Sequence, residues 1–413
     1  MKITMNKIRF LLGICSLIFL PCILYAQNDF QTWYKQAQLG NAAAQYNLAL
    51  CYLNGEGTTK DEKEALRWFR TASGKGMVEA DYMMGYCYEY GIEVEPNRQI
   101  AFNYYRKAAN AGLPEAQGAV GLCYMQGIGV EKNEREGFKW LMKAAQQGIP
   151  YAQGLIGSCY ENGTEVIEDK HEAFNWYMKA AQQGDPASQS QIGWYYLSGI
   201  GVSKNEVEGF NWSMKAAQQG FPNAQCLIGS CYLNGIGVSK NEVEGFNWTM
   251  KAAQQGYSNA QAQIGWCYFY GVGVSKNEVE GFNWSMKAAQ QGYPTAQGLI
   301  GSCYFNGVGV SKNEVEGFNW TMKAAQQGNP TAQVLIGSCY NEGIGVSKNE
   351  QEGFNWYMKA AQQGLPQAQQ IVSFCFRDGK GTPKDEKKAY EWMLKAAEQG
   401  FADAQYNLGS III

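Results

Sequence analysis

The sequence predicts an all-α fold, a right-handed α/α superhelical solenoid of ten tandem 36-residue helix-turn-helix repeats with partial units at its ends. Three observations predict it. An Ala-Gln pair recurs at Ala44, Ala116, Ala152, Ala224, Ala260, Ala296, Ala332, Ala368 and Ala404, every gap being 36 or 72 residues, and the two vacant registers hold Ala80-Asp81 and Ser188-Gln189. Each unit carries two apolar stretches at helical spacing, parted by a turn of the form Gly199, Gly201, Val202. An Asp or Asn opens the second stretch and a Gly closes it in all ten units. One structural unit is therefore being stacked.

The elements follow in chain order. Residues 1–26 read as an export signal, because Lys2, Lys7 and Arg9 precede an apolar run from Phe10 to Leu24 and Ala26 offers a small residue for cleavage before Gln27. No later stretch is long and apolar enough to span a bilayer, so the chain is expected to be extracytoplasmic, periplasmic or secreted, with no integral span after cleavage. Residues 27–43 are expected to form an N-terminal capping helix. Residues 44–403 hold the ten repeats.

Within a repeat, helix A opens on a first-turn proline such as Pro150 and stops at a Gly such as Gly163. Helix B starts at an N-cap: Asp61, Asn97, Asn133, Asp169, Asn205, Asn241, Asn277, Asn313, Asn349 or Asp385. Glu stands three positions on in eight of the ten units, the pattern of a capping box, with Ile100 and Lys388 as exceptions. A Gly from Gly76 to Gly400 sits where a left-handed residue ends helix B. Residues 404–413 begin helix A of an eleventh unit and end on Ile411, Ile412 and Ile413.

Helix B carries Trp in nine units and Tyr104 in the other, and helix A carries Tyr in nine and Phe376 in the last. Burying one Trp is worth about 5 kcal/mol, whereas ordering some 30 backbone residues costs roughly 30 kcal/mol or more. A lone unit cannot stand, so neighbours must share faces.

The pattern Ala296, Gln297, Gly301, Tyr304, Gly307, Gly309, Val310, Trp320, Lys323, Ala324, Ala325, Gln327 and Gly328 resembles the Sel-1-like repeats, relatives of the tetratricopeptide solenoids. The resemblance covers essentially all of the chain beyond the signal. It implies a scaffold for protein complexes, with helix A lining the inner surface, and implies no chemistry. One departure is Gly at 137, 209, 245, 281, 317 and 353, where the family has Ala on helix B, as at Ala65, Ala101, Ala173 and Ala389. Each such Gly should cost about 1 kcal/mol of helix propensity.

Composition excludes several functions. With 34 basic against 37 acidic side chains the net charge is −3, which argues against nucleic-acid binding through bulk positive charge. A single histidine, His171, rules out any site built on two imidazoles. Nine cysteines, among them Cys51, Cys87, Cys123 and Cys159, share one helix-A register. Equivalent atoms of stacked repeats lie about 9–10 Å apart, beyond the roughly 7 Å limit for a bridge, so free structural thiols are expected. The Gly-x-Gly loops lack a preceding strand and a following Lys-Ser or Lys-Thr, so they are turns and hold no phosphate. Asn211-Trp212-Ser213 and its copies match a glycosylation sequon but fall inside helix B. No cofactor or metal is expected.

What changes between units marks the candidate partner surface. The helix-A register of Ser158, Ser230, Ser302 and Ser338 holds Trp194 and Trp266 in alternate units. Three residues earlier, Leu155, Leu227, Leu299 and Leu335 give way to Gln191 and Gln263, and positions three apart share a face. Further along, Leu197, Leu233, Phe269 and Phe305 stand where other units carry Glu89, Glu161, Asn341 and Arg377, with Tyr270 beside Phe269. Gln191, Trp194, Leu197, Leu233, Gln263, Trp266, Phe269, Tyr270 and Phe305 are the candidate groove for a protein or peptide. Repacking of the core between alternate units, or duplication at 72 residues, accounts for the alternation equally well. The leading reading is a non-enzymatic exported scaffold. The alternative is a cell-envelope hydrolase or β-lactam-binding protein of the related cysteine-rich solenoid type, against which no Ser-x-x-Lys occurs.

Overall fold

A computed structural model describes residues 28–411, and the N-terminal segment read as a signal lies outside them. Twenty-two α-helices and no strand occur among the described residues. A first helix, Asn28–Gln38, precedes repeat one, whose helices A and B are Ala42–Asn54 and Glu62–Gly74. The same pair returns every 36 residues to repeat ten, Pro366–Asp378 and Glu386–Glu398, and Ala402–Ile411 follows. The fold is a helical solenoid. Its contacts form two compact units, one up to Trp212 and one from Ser213.

Helix A ends on a Gly that no other residue would suit, as at Gly307, where φ is 71° and the N–H donates to the Cys303 carbonyl. Helix B opens on the expected caps: the Asn313 side chain accepts from Glu316 N at 3.1 Å, and Asn205 accepts from Glu208 N at 3.1 Å. The second half of a capping box is not made. The N-cap N–H donates instead to the helix-A tyrosine carbonyl, Asn313 to Tyr304 at 2.9 Å and Asn97 to Tyr88 at 2.8 Å, so the cap also fixes the turn between the two helices.

Repeats are joined by a chain of buried glutamines. The Gln297 amide donates to the Ala289 carbonyl of the previous repeat at 3.1 Å, and its oxygen accepts from Gln327, at the end of helix B in its own repeat, at 2.7 Å. Gln225, Gln261, Gln333 and Gln369 repeat the arrangement in the second unit, as Gln117 and Gln153 do in the first. Each bond is worth about 1 kcal/mol net and leaves no buried amide of the Ala-Gln pair unmatched there. Asp81, the departure in repeat two, is held by Ser73 Oγ at 2.5 Å and Lys107 Nζ at 2.8 Å.

Edge-on aromatic pairs add to the stack. Phe282 meets Tyr304 of the next repeat at 5.4 Å and 88°, and Phe318 meets Tyr340 at 5.4 Å and 90°. The helix-B tryptophans are less buried than the burial arithmetic assumed: only Trp68 and Trp356 are fully buried, and the other seven are half-buried. A lysine three residues on covers the open ring face, with Nζ of Lys287 and Lys323 each 3.8 Å above Trp284 and Trp320.

The second Gly of each turn serves the repeat before it. At Gly309 φ is 69°, and a Cβ would overlap the Glu278 carbonyl oxygen of the preceding helix B. Two units break this rule: Glu93 and Glu165 occupy the same register at φ 53° and 59°. A side chain there carries a left-handed penalty, so Glu165→Gly is expected to raise the unfolding free energy by roughly 0.5–1 kcal/mol. A lower denaturant midpoint for this variant would contradict the strain.

Candidate functional site

Helix A buries the Ala-Gln pair, the Ile register and the Cys register, as Ala296, Gln297, Ile300 and Cys303 show. The candidate residues occupy four of its remaining registers. Gln191, Trp194 and Leu197 lie on Pro186–Ser198 in the first unit; the others lie in the second, on Pro222–Asn234, Ser258–Tyr270 and Pro294–Asn306.

Four of the nine turn into their own hairpins. A Cβ on Gly209 would be 2.6 Å from Leu197 Cγ, one on Gly245 2.6 Å from Leu233 Cγ, and one on Gly281 or Gly317 2.8 or 2.7 Å from Cδ1 of Phe269 or Phe305. The helix-B glycines therefore exist to admit these side chains. Opposite Leu233, Phe269 and Phe305, helix B carries fully buried Thr249, Ser285 and Thr321, small enough to leave the room. Where helix B carries Tyr instead, the helix-A partner is polar: Tyr105 Oη donates to Glu89 at 2.6 Å, Tyr177 Oη to Glu161 at 2.8 Å, and Asn341 donates to Tyr357 Oη at 3.3 Å. Variation in this register is thus matched across the hairpin. The same burial of Ser213, Thr249, Ser285 and Thr321 closes the sequons inside the helices.

The aromatic residues face outward. Trp194 is 48% exposed, Trp266 47% and Tyr270 68%. Trp266 and Tyr270 pack with ring centroids 5.2 Å apart, one helical turn from each other. Gln263 anchors beside them, donating to Asn259 Oδ1 at 3.1 Å and accepting from Ser230 Oγ of the previous repeat at 3.4 Å. In the first unit Gln191 donates to the Glu161 carboxylate of the previous repeat at 3.3 Å, which also accepts from Tyr195 Oη at 3.0 Å. Tyr86 and Tyr90, in the registers of Trp266 and Tyr270, form a second outward pair at 4.5 Å. The sequence reading missed them, although their registers alone mark them.

Burial dominates the electrostatics. Burial pushes the thiols up, Cys87, Cys123 and Cys226 to about 12 and Cys159, Cys267, Cys303, Cys339 and Cys375 to about 11. That is opposite to what a nucleophilic cysteine needs. Burial first, and then the Glu161 charge, raise Tyr177 and Tyr195, which keeps both phenols as donors. His171 is exposed, with its Nδ1 3.3 Å from the Asn175 amide nitrogen and its backbone N–H donating to the Asp169 cap. All ten cysteines of the described residues are free, and no group of three or more His, Cys, Asp or Glu among those residues could hold a metal ion. No described helix is long and apolar enough to cross a membrane.

A family model for the Sel1 repeat matches ten consecutive segments, from 42–77 and 78–113 through to 366–401. The chain belongs to the Sel1 repeat family. Each Sel1 segment begins at helix A and ends just before the next one. The crystal structure of c5321, a protective antigen present in uropathogenic Escherichia coli strains displaying an SLR fold, is similar at 35% identity with a TM-score of 0.72, over 92% of this chain and 82% of that one. A Sel1 repeat protein from Oxalobacter formigenes is similar at 30% identity and a TM-score of 0.56, over 76% of this chain and 93% of that one. No curated protein matches the chain. Sel1 repeats are scaffold modules, typically of protein–protein interaction.

Proposed function

We propose that this Sel1 repeat protein is an exported, non-enzymatic scaffold that binds a protein or peptide along its helix-A surface, the inner face in tetratricopeptide-like solenoids. The observation that carries the reading is the outward Trp266–Tyr270 pair, nearly half and two-thirds exposed on a helix whose other side is satisfied internally. Large aromatic side chains left in water on a rigid surface are the usual anchors of an interface, because they bring much contact area at little entropic cost. Trp194 supplies the same feature in the first unit. The charged N-terminal start and apolar run that follows support export.

The test is affinity capture from the native host with the wild type and with Trp194→Ser, Trp266→Ser and Tyr270→Asn. Ser and Asn are the residues found in these registers in neighbouring repeats, as at Ser230 and Asn234, so the substitutions are compatible with the fold. Loss of an anchor should weaken capture of a specific partner by at least about 2 kcal/mol, some thirtyfold, with the thermal midpoint unchanged. Undiminished capture by all three variants would remove the helix-A assignment.

A further inference from the structure

Repeats two and four differ from the rest in the same places. They alone carry Glu in the helix-A register that faces helix B, Glu89 and Glu161, and the two non-glycine left-handed residues of the described chain, Glu93 and Glu165. Both lie in the first unit.

Around Glu161 the structure builds a specific setting. Tyr177 Oη donates to one carboxylate oxygen at 2.8 Å, Tyr195 Oη to the other at 3.0 Å, and Gln191 reaches them at 3.3 and 3.5 Å. All three donors are neutral. Lys170 is the nearest bonded base, yet its ammonium goes to the Glu161 main-chain oxygen and to the Glu168 carboxylate at 3.1 Å. Among the described residues no lysine or arginine makes an ion pair with the Glu161 carboxylate. A half-buried carboxylate is thus fixed in place and left without a counter-ion, which is costly in a desolvated setting. Trp194 lies on the helix that supplies two of these donors, three residues after Gln191 and just before Tyr195, with 48% of its surface open.

We infer that this face of repeats four and five receives a lysine or arginine side chain of the bound peptide, Glu161 meeting the charge and Trp194 covering the stem. An oriented carboxylate beside an open indole is complementary to a cation in both charge and shape. The inference rests on the reading of helix A as a peptide-binding surface and names what that surface selects. Repeats nine and ten are the internal contrast: Asn341 takes the place of the carboxylate against Tyr357, and Phe374 stands where the tryptophan would be.

The test uses the purified protein on arrays of synthetic random-sequence peptides whose central residue is fixed as Arg, Lys, Gln or Glu. The wild type should retain the Arg and Lys series at least about tenfold more tightly than the Gln series, the size expected of one charge-assisted contact. Glu161→Gln should bind Arg, Lys and Gln series alike, and Trp194→Ser should weaken the Arg and Lys series. An unchanged preference in Glu161→Gln overturns the inference and leaves peptide binding standing. Failure of the wild type to bind any series overturns both. Repeat nine shows that an amide fits opposite the tyrosine. If Glu161→Gln still fails to fold, added salt decides with the wild type alone: its Arg and Lys preference must shrink as salt rises, and a salt-independent preference refutes the charge contact.

Discussion

Replacing Gly301 by Val is expected to lower the unfolding free energy by at least about 3 kcal/mol, the upper range for overpacking a core against backbone. Gly301 is where helix A touches helix B most closely in repeat eight. A Cβ there would overlap Thr321 Oγ1 and lie 3.0 Å from the Gly317 carbonyl oxygen and 3.1 Å from the Thr321 nitrogen. Thr321 cannot withdraw, since it is fully buried and its hydroxyl is bonded to that same carbonyl at 2.8 Å. The hairpin must open, which pulls Phe305 off Gly317 and disturbs the Gln297–Gln327 bond between its two helices. Denaturant unfolding would record the loss. A midpoint within error of the wild type would mean that the helices have slack the packing does not show.

The cysteine ladder should be silent in the folded protein and should make it sensitive to alkali. In a chain beginning at Gln27, a thiol reagent at neutral pH is expected to modify at most the half-buried Cys51, and all ten cysteines after unfolding. Eight of the folded thiols are pushed up to about 11 or 12, above the usual value of about 8.5. Between these values the unfolded chain has lost protons that the folded chain keeps. Stability is therefore fully present below about pH 8.5 and declines as the pH climbs through 11 to 12, with buried Tyr105, Tyr177 and Tyr195 acting in the same direction. Guanidinium midpoints at pH 8 and pH 10.5 would show the fall. Rapid labelling of several thiols in the folded state, or a midpoint that does not move, would contradict buried, neutral cysteines.

The fold was legible in the sequence because each local signal agrees with the others: the N-cap Asn, the closing Gly and the Ala-Gln pair recur in one register without insertion. What stayed hidden depends on pairs of residues from different helices. Gly209, Gly245, Gly281 and Gly317 read as helix-weakening departures until Leu197, Leu233, Phe269 and Phe305 are seen seated on them. The glutamate of the capping-box pattern could not reveal that the N-cap N–H is already taken by the tyrosine carbonyl of helix A. The helix-B tryptophans read as buried between neighbours, whereas a lysine of the same helix covers their open ring face. For the candidate surface, sequence variation merged two causes. One set of positions varies to match its own hairpin, and Trp194, Trp266 and Tyr270 vary in the open.

Site-specific photocrosslinking in the native host separates these two causes most directly. A benzophenone side chain placed at Tyr270, 68% exposed on helix A, is expected to join a discrete partner, whereas the same group at Val279, 56% exposed on helix B, is not. Adducts from Val279 alone, or none from Tyr270, would contradict a partner held along helix A.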